Sequence, residues 1–497
     1  MPIGPEDALK LALDMAGVVE RAYVPGYPVT SLAMAAGSKM AVNEKTALER
    51  CLGASASGRR ALVVVKQLGM NVLSDPLAIS ATHTIGAGLV VLAGDDLGPR
   101  GSQLEMDSRN YGPVTGLPVL DPADPADLYC AVLEAYSISE EIMAPAIIRA
   151  SSRLLGAVSP GLQPREGSPF STSEAWRSLS AGGRRFDRSI WDLTARGRHQ
   201  RFRQRAHPTM QRASSAAVSE MPERSSGSLG IIASGPPSIE AAALGLPVLT
   251  TAYANPIPWP AVLDFLSRYQ TVMVAEEPGP FLESHLLASG KVIGRLSGHL
   301  PYGWVEKEDL KAALKILSNE KPLIESQPQR ASDRYKKTIC DSCPFRPLLE
   351  ALSRIEVLVA GDAGCVIQAN RPPLSAVDLV YGLGSSIGVA SGLKTKGLAV
   401  IGDFALAHSG ICGLIDALWQ KRDLVVVVIQ NRVAAMTGGQ ETPDLTSVLL
   451  TLVPDLIYID MPRSAEQLES LIRGELARPG TSVLLVRGTC PAPRTAE

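Results

Sequence analysis

Cysteine is scarce in this sequence: seven in 497 residues, an odd number. That count excludes the paired disulfide framework of a small secreted protein. No apolar run approaches the ~18 residues needed to cross a bilayer. The opening stretch, "MPIGPEDALKLALDMAG", carries acids where a signal peptide carries bases. A cytoplasmic, reduced protein is the expectation, with no membrane partner. Excess charge is missing too. The net value of −2 argues against a general nucleic-acid binder. Arginine is uneven nonetheless, crowding into "RRFDRSIWDLTARGRHQRFRQR" at 184–205.

What is present is apolar residues, 45% of the chain, in short runs. The length suits roughly three domains of ~100–200 residues. Runs at 61–69 ("ALVVVKQLG"), 87–96 ("AGLVVLAGDD") and 143–150 read as buried parallel strands with helical patterns between them, such as 43–58. This predicts an α/β class with mostly parallel, doubly wound sheets. The predicted organisation is a domain at 1–162, a basic connector at 163–227, a second α/β domain at 228–320, a polar linker at 321–337 and a third domain at 338–497. Strands of the second domain are expected at 229–235, 246–253 and 271–277. Those of the third are expected at 356–364, 397–404, 423–431, 456–460 and 481–488.

Ligands of open parallel sheets bind beyond the carboxyl ends of the strands. Asp403 and Asn431 each end an apolar run there, with a helical pattern at 409–421 between them. Adjacent strand ends lie ~5 Å apart. A carboxylate, an amide oxygen and a backbone carbonyl from the loop after Asn431 can therefore share one hard cation; Mg²⁺ takes oxygens octahedrally and often arrives with a diphosphate. The plainer alternative is that Asp403 caps a helix and Asn431 makes a turn.

The spacing of "GD" and "N" is similar to the diphosphate–Mg²⁺ pattern of thiamine diphosphate enzymes. "GDFALAHSG" with "NRVAAMTGGQ" resembles, more closely, the alpha-subunit family of indolepyruvate:ferredoxin oxidoreductase, within the 2-oxoacid:ferredoxin oxidoreductase superfamily. The resemblance continues in order through "GYPVTS" (26–31), "NEKTALE" (43–49), "KQLGMNVLSDP" (66–76), "GDDLGPRGSQLEMDSRNY" (94–111), "RLSGHLP" (295–301), "CDSCPFR" (340–346), "GDAGC" (361–365) and "GLGSSIGVASGL" (382–393). It implies that the three domains bind the pyrimidine, resemble a transketolase C-terminal domain and bind the diphosphate, in that order. It implies thiamine diphosphate and Mg²⁺ as cofactors, and a small 2-oxoacid as substrate. Glu44, His408 and Thr30 are the implied catalytic residues, Glu44 by hydrogen-bonding the aminopyrimidine. The implied cofactor contacts are Glu44, Gly361, Asp362, Gly364, Cys365, Gly384, Ser385, Ser386, Gly402, Asp403, Phe404, Asn431, Ala435, Met436 and Thr437. Asp403, Asn431 and Val433 would hold the metal. Arg109 has two readings, a carboxylate anchor or an interdomain bridge. Cys340-x-x-Cys343 is half a tetrahedral site and favours neither metal nor disulfide. His299 reads as structural.

The sequence departs from that family in places. The ferredoxin-like tail with its cysteine clusters is not found after "VLLVRGTCPAPRTAE", so no Fe–S cluster is expected in this chain. Phe345 stands where the family has His, and Phe404 and Val433 stand where it has hydroxyl residues. Three readings follow. One is the catalytic subunit of an oligomeric 2-oxoacid oxidoreductase, with a beta/gamma-type second subunit and an electron-carrying partner. Another is a non-oxidative decarboxylase or carboligase. The last is a non-catalytic scaffold or regulatory paralogue.

Overall fold

The structure, a computed structural model, describes residues 2–170, 184–187, 194–222, 225–318 and 339–491. The linker expected at 321–337 and parts of the expected connector lie outside the described residues. The chain divides into two compact units, Met1–Asp333 and Arg334–Glu497.

The first unit holds two sheets. A seven-stranded sheet has the order Tyr253–Asn255, Val119–Leu120, Ala146–Ser151, Leu89–Asp95, Ala61–Lys66, Glu20–Tyr23, Lys39–Met40. All its pairs are parallel except that between Tyr253–Asn255 and Val119–Leu120. The central strands Ala61–Lys66 and Leu89–Asp95 are covered on both faces, which is why they read as unbroken apolar runs. Helix Pro125–Ile142 starts where the Asp124 side chain accepts the Asp127 N–H, with Pro125 in its first turn. The second sheet runs Val292–Ile293, Tyr269–Ala275, Gly227–Ser234, Val248–Thr251, Val218–Met221. Its edge strand Val218–Met221 is antiparallel to Val248–Thr251 and falls inside the stretch expected as connector.

Two features tie these sheets into one unit. Tyr253–Asn255 leaves the second sheet's chain segment to pair with Val119–Leu120. Buried ions do the rest. Arg109 bonds Asp107 on one side and, through Nη1, Glu276 Oε2 at 2.7 Å on the other, and it reaches the Gly279 carbonyl at 3.1 Å. The bridge reading of Arg109 is the one observed. Arg149 likewise pairs with Asp95 at 2.6 Å and Asp121 at 2.9 Å, and Asp121 accepts from Ser234 of the second sheet at 2.5 Å.

The second unit is a five-stranded, all-parallel sheet ordered Val359–Ala360, Gly397–Gly402, Leu424–Gln430, Thr481–Arg487, Ile457–Asp460. Its two apolar cores lie on opposite faces, one around Leu348, Val400, Val427 and Leu484, the other around Ile401, Leu414, Val426 and Leu485. Phe345, in place of the family's histidine, is buried in the first of these cores near Gly488. No helix among the described residues is long and apolar enough to cross a membrane.

Removing one member of a buried ion pair strands its partner at a cost of about 3–5 kcal/mol. Arg109→Met should destabilise the chain on that scale in urea unfolding. Adding Glu276→Gln should recover part of the loss, since the stranded charge goes with it.

Candidate active site

Strands Gly397–Gly402 and Leu424–Gln430 run side by side in register, Gly402 opposite Ile429. Their next residues, Asp403 and Asn431, therefore emerge together. Asp403 opens a helical stretch that continues unbroken through a π-helical turn, Leu406–Gly410, into the helix Ile411–Trp419. The helix thus begins six residues earlier than its apolar pattern suggests. The Asp403 carboxylate is buried. Its Oδ1 accepts the Phe404 N–H at 2.8 Å and its Oδ2 accepts the Arg432 N–H at 2.7 Å. Burial pushes its pKa up, against the pull of those N–H groups. Asn431 Oδ1 accepts the Val433 N–H at 3.2 Å, closing a turn in which Arg432 sits at φ +63°. The turn is thus real, while Asp403 is the first helical residue after the cap Gly402 and makes no side-chain cap; the two leave one carboxylate and one amide oxygen at adjoining strand ends.

Beyond Arg432 the chain folds into a short ribbon, Val433–Ala434 against Gln440–Glu441. Thr437 and Gln440 bond each other across its bend, at 3.1 Å and 2.7 Å. Met436 Sδ receives the Gln368 amide at 3.7 Å, linking this bend to the turn Cys365–Asn370.

Asp362 organises the glycine-rich loop. Its buried carboxylate accepts the N–H groups of Ala363 (2.9 Å), Gly384 (2.7 Å) and Ser386 (3.1 Å). Burial nonetheless pushes its pKa up to about 6. Gly384, at φ +84°, lies so close to the Ser409 hydroxyl that a Cβ would stand 2.0 Å from it. Ser409 in turn bonds the Leu383 carbonyl at 2.8 Å and His408 Nδ1 at 3.0 Å. His408 is buried beside Phe404, with ring centroids 6.3 Å apart. Gly361 is packed under Val377 and Val366. Most of the second unit's expected contacts thus lie on three linked loops.

Glu44 and Thr30 belong to the first unit. Glu44 is the first residue of helix Glu44–Ala56, is buried, and packs on Gly69, where a Cβ would come within 2.7 Å of its Oε1. The Thr30 hydroxyl donates to the Gly26 carbonyl (3.0 Å) and accepts the Gly26 N–H (2.8 Å). It is occupied in holding that turn.

The second unit leaves room and polarity for a phosphorylated group. At Gly364 and Gly402 a Cβ would meet no atom within 4 Å. The Ser386 hydroxyl beside Asp362 and the Thr442 hydroxyl beside Asp403 are buried and lie close enough to favour the charged carboxylates. Among the described residues no three His, Cys, Asp or Glu side chains cluster to hold a metal. The donors at Asp403 and Asn431 are oxygens and too few to enclose a cation alone. They fit one that brings further oxygens with it.

Comparison with known proteins agrees with this arrangement. The domain model described as "Thiamine pyrophosphate enzyme, C-terminal TPP binding domain" matches residues 362–470. The chain is 32% identical over 490 residues to the indolepyruvate oxidoreductase subunit IorA of Methanothermobacter thermautotrophicus, covering 89% of this chain and 76% of that protein. It belongs to the IorA family. The IorA subunit of Archaeoglobus fulgidus is 27% identical, over 90% of this chain and 77% of its own length. A solved 2-oxoglutarate:ferredoxin oxidoreductase from Magnetococcus marinus overlays with a TM-score of 0.49 at 15% identity, covering 63% of this chain and 64% of that one. Reading the sequence passed over Ser409 and Thr442, whose places beside the glycine loop and Asp403 come from the fold and carry no signal in the sequence.

The Asp362 carboxyl gives a pH test. Its folded pKa of about 6 exceeds the ordinary 3.8, so the folded chain holds this proton more tightly than the unfolded one. The associated stability is full below pH ~4 and lost as pH rises through ~6. At ~1.4 kcal/mol per tenfold, the stability of wild type relative to Asp362→Asn should fall by roughly 3 kcal/mol across that window. Urea unfolding of the cofactor-free proteins at several pH values measures it.

Proposed function

We propose that this chain is the thiamine-diphosphate-binding catalytic subunit of an oxidoreductase that oxidatively decarboxylates a 2-oxoacid, an aryl-pyruvate such as indolepyruvate. The observation that carries the reading is the placement of Asp403 and Asn431 at adjoining strand ends, in a chain of this family. Asp403, Asn431 and the Val433 carbonyl would hold Mg²⁺. The open glycines Gly364 and Gly402 and the loop at Gly384, Ser385 and Ser386 would receive the diphosphate. When bound, thiamine diphosphate supplies an electron sink for loss of CO₂ from a 2-oxoacid.

The chain's own residues then have separate tasks. Glu44, buried and packed on Gly69, would hydrogen-bond an aminopyrimidine ring. His408, tethered through Ser409 to the glycine loop, would move a proton at the substrate. Thr30 shapes the Gly26 turn. Oxidation releases two electrons that thiamine diphosphate does not store. Of the seven cysteines only Cys340 and Cys343 are closely spaced in sequence. The electrons therefore leave through a separate subunit carrying clusters or a flavin.

Asp403→Ala and Asn431→Ala should abolish the thermal shift given by Mg²⁺ and thiamine diphosphate, which at ~100 Kd amounts to about 2.7 kcal/mol. A full shift in both variants removes the metal assignment. Glu44→Gln should keep that shift while C2-proton exchange of the bound cofactor, followed by NMR, slows by orders of magnitude. The lone chain should be colourless and reduce no low-potential acceptor until a partner subunit is added. If 2-oxoacid instead yields CO₂ and an aldehyde with no partner able to restore acceptor reduction, the protein is a decarboxylase.

A further inference from the structure

The first unit carries a second group of polar residues at its strand ends. Lys66 ends the strand Ala61–Lys66, and the flexible part of its side chain lies across Gly26, where a Cβ would stand 2.7 Å from Lys66 Cδ. Gly26 is fixed by Thr30, and the neighbouring Tyr27 packs on Gly101, whose Cβ would be 2.9 Å from Tyr27 Cβ. Gly101 belongs to the loop gathered by Asp96, which accepts the N–H groups of Arg100, Gly101 and Ser102 at 2.8–3.0 Å. Three loops thus converge at the carboxyl ends of the parallel strands, where this kind of sheet binds ligands.

Charge accounting singles out Lys66. The buried arginines nearby are committed, Arg109 to Asp107 and Glu276, and Arg149 to Asp95 and Asp121. Asp96 is spent on its loop. Among the described residues Lys66 Nζ forms neither a hydrogen bond nor an ion pair, although Glu44 and Asp96 lie near enough to act on it electrostatically. Burial lowers its pKa more than those two carboxylates raise it. The next residue, Gln67, is fully buried. Its Nε2 reaches the Leu104 carbonyl at 3.4 Å, and its Oε1 has no donor. A spare ammonium followed by an unsatisfied buried acceptor is costly in a finished core and ordinary in a binding site awaiting a polar guest.

We propose that Lys66, beside the Gly26 turn, the Asp96 loop and Gln67, receives the carboxylate of the substrate and so selects 2-oxoacids by their charge. This rests on the reading above that the site takes a 2-oxoacid. The guest supplies the anion that Lys66 lacks. The keto carbon then falls on the side of Glu44, which approaches Lys66 from the start of its helix.

The test uses the full chain loaded with thiamine diphosphate and Mg²⁺, with Lys66→Met and Lys66→Arg. Methionine keeps most of the stem over Gly26 and removes only the charge. Phenylacetate and indole-3-acetate, which carry the carboxylate without a keto carbon, serve as probes in calorimetry. Wild type should bind them, Lys66→Met should bind about 10- to 100-fold more weakly, as for loss of a charged hydrogen bond, and Lys66→Arg should recover most of that. With 2-oxoacid and partner, KM should rise by the same factor while kcat stays within about threefold. The thermal midpoint of cofactor-free Lys66→Met should equal or exceed that of wild type, because an unpaired charge leaves the interior. Arylacetates that bind wild type and Lys66→Met equally, or neither, overturn the proposal, as does a lowered midpoint, which would assign Lys66 to the fold. Binding that depends on Lys66 without any 2-oxoacid turnover sustains the carboxylate site and refutes the proposed reaction.

Discussion

The carboxylate of Asp403 ends one strand, begins a helix and takes the N–H of Arg432 from the loop of the neighbouring strand. Much of the second unit's local geometry depends on that single acceptor. It fixes where the Asn431 turn stands and holds Arg432 in a left-handed conformation that an L-residue adopts only at a cost. The ribbon after Val433 starts from that turn. Through the helix it opens, the same residue sets His408 and Ser409, and Ser409 reaches back to the glycine loop organised by Asp362. Two buried acids, each stabilised by backbone N–H groups while burial works against their charge, thus lock three loops together.

The first unit repeats this device with a different outcome. Asp96 gathers a loop by accepting three N–H groups, as Asp362 does. Each surrounding arginine is taken up by two acids, Arg109 by Asp107 and Glu276 and Arg149 by Asp95 and Asp121. Lys66 and Gln67 stand outside that saturation. The contrast between filled and unfilled polar groups separates the ion pairs that hold this layer together from Lys66 and Gln67.

The central strands were legible because parallel strands covered on both faces cannot alternate. "DLVVVVIQN" and "ALVVVK" announce themselves by composition alone. Asp403 and Asn431 were legible for the same reason, each being the polar residue that ends such a run. Strand Val218–Met221 was not, since it is a half-exposed edge in an Arg- and Ser-rich context and its identity comes from Val248–Thr251. Nor was Tyr253–Asn255, which reads as the tail of an adjacent strand and is defined by a partner over a hundred residues away. Thr30 shows the opposite limit. A motif pointed to it, and its hydroxyl also bonds the main chain of Gly26, a local role that no motif announces.

That three-residue strand has a bearing on how the chain can be divided. Tyr253–Asn255 covers the edge of the large sheet at Val119–Leu120, and the Asn255 amide caps the Leu117 carbonyl at 2.6 Å. A chain cut between the two sheets would leave one fragment with a bare, pairing-competent edge, and it would part Glu276 from Arg109 and Asp121 from the Ser234 hydroxyl. The first two sheets therefore depend on one another, and a truncation meant to keep both belongs after the helix Lys307–Ser318 rather than before it.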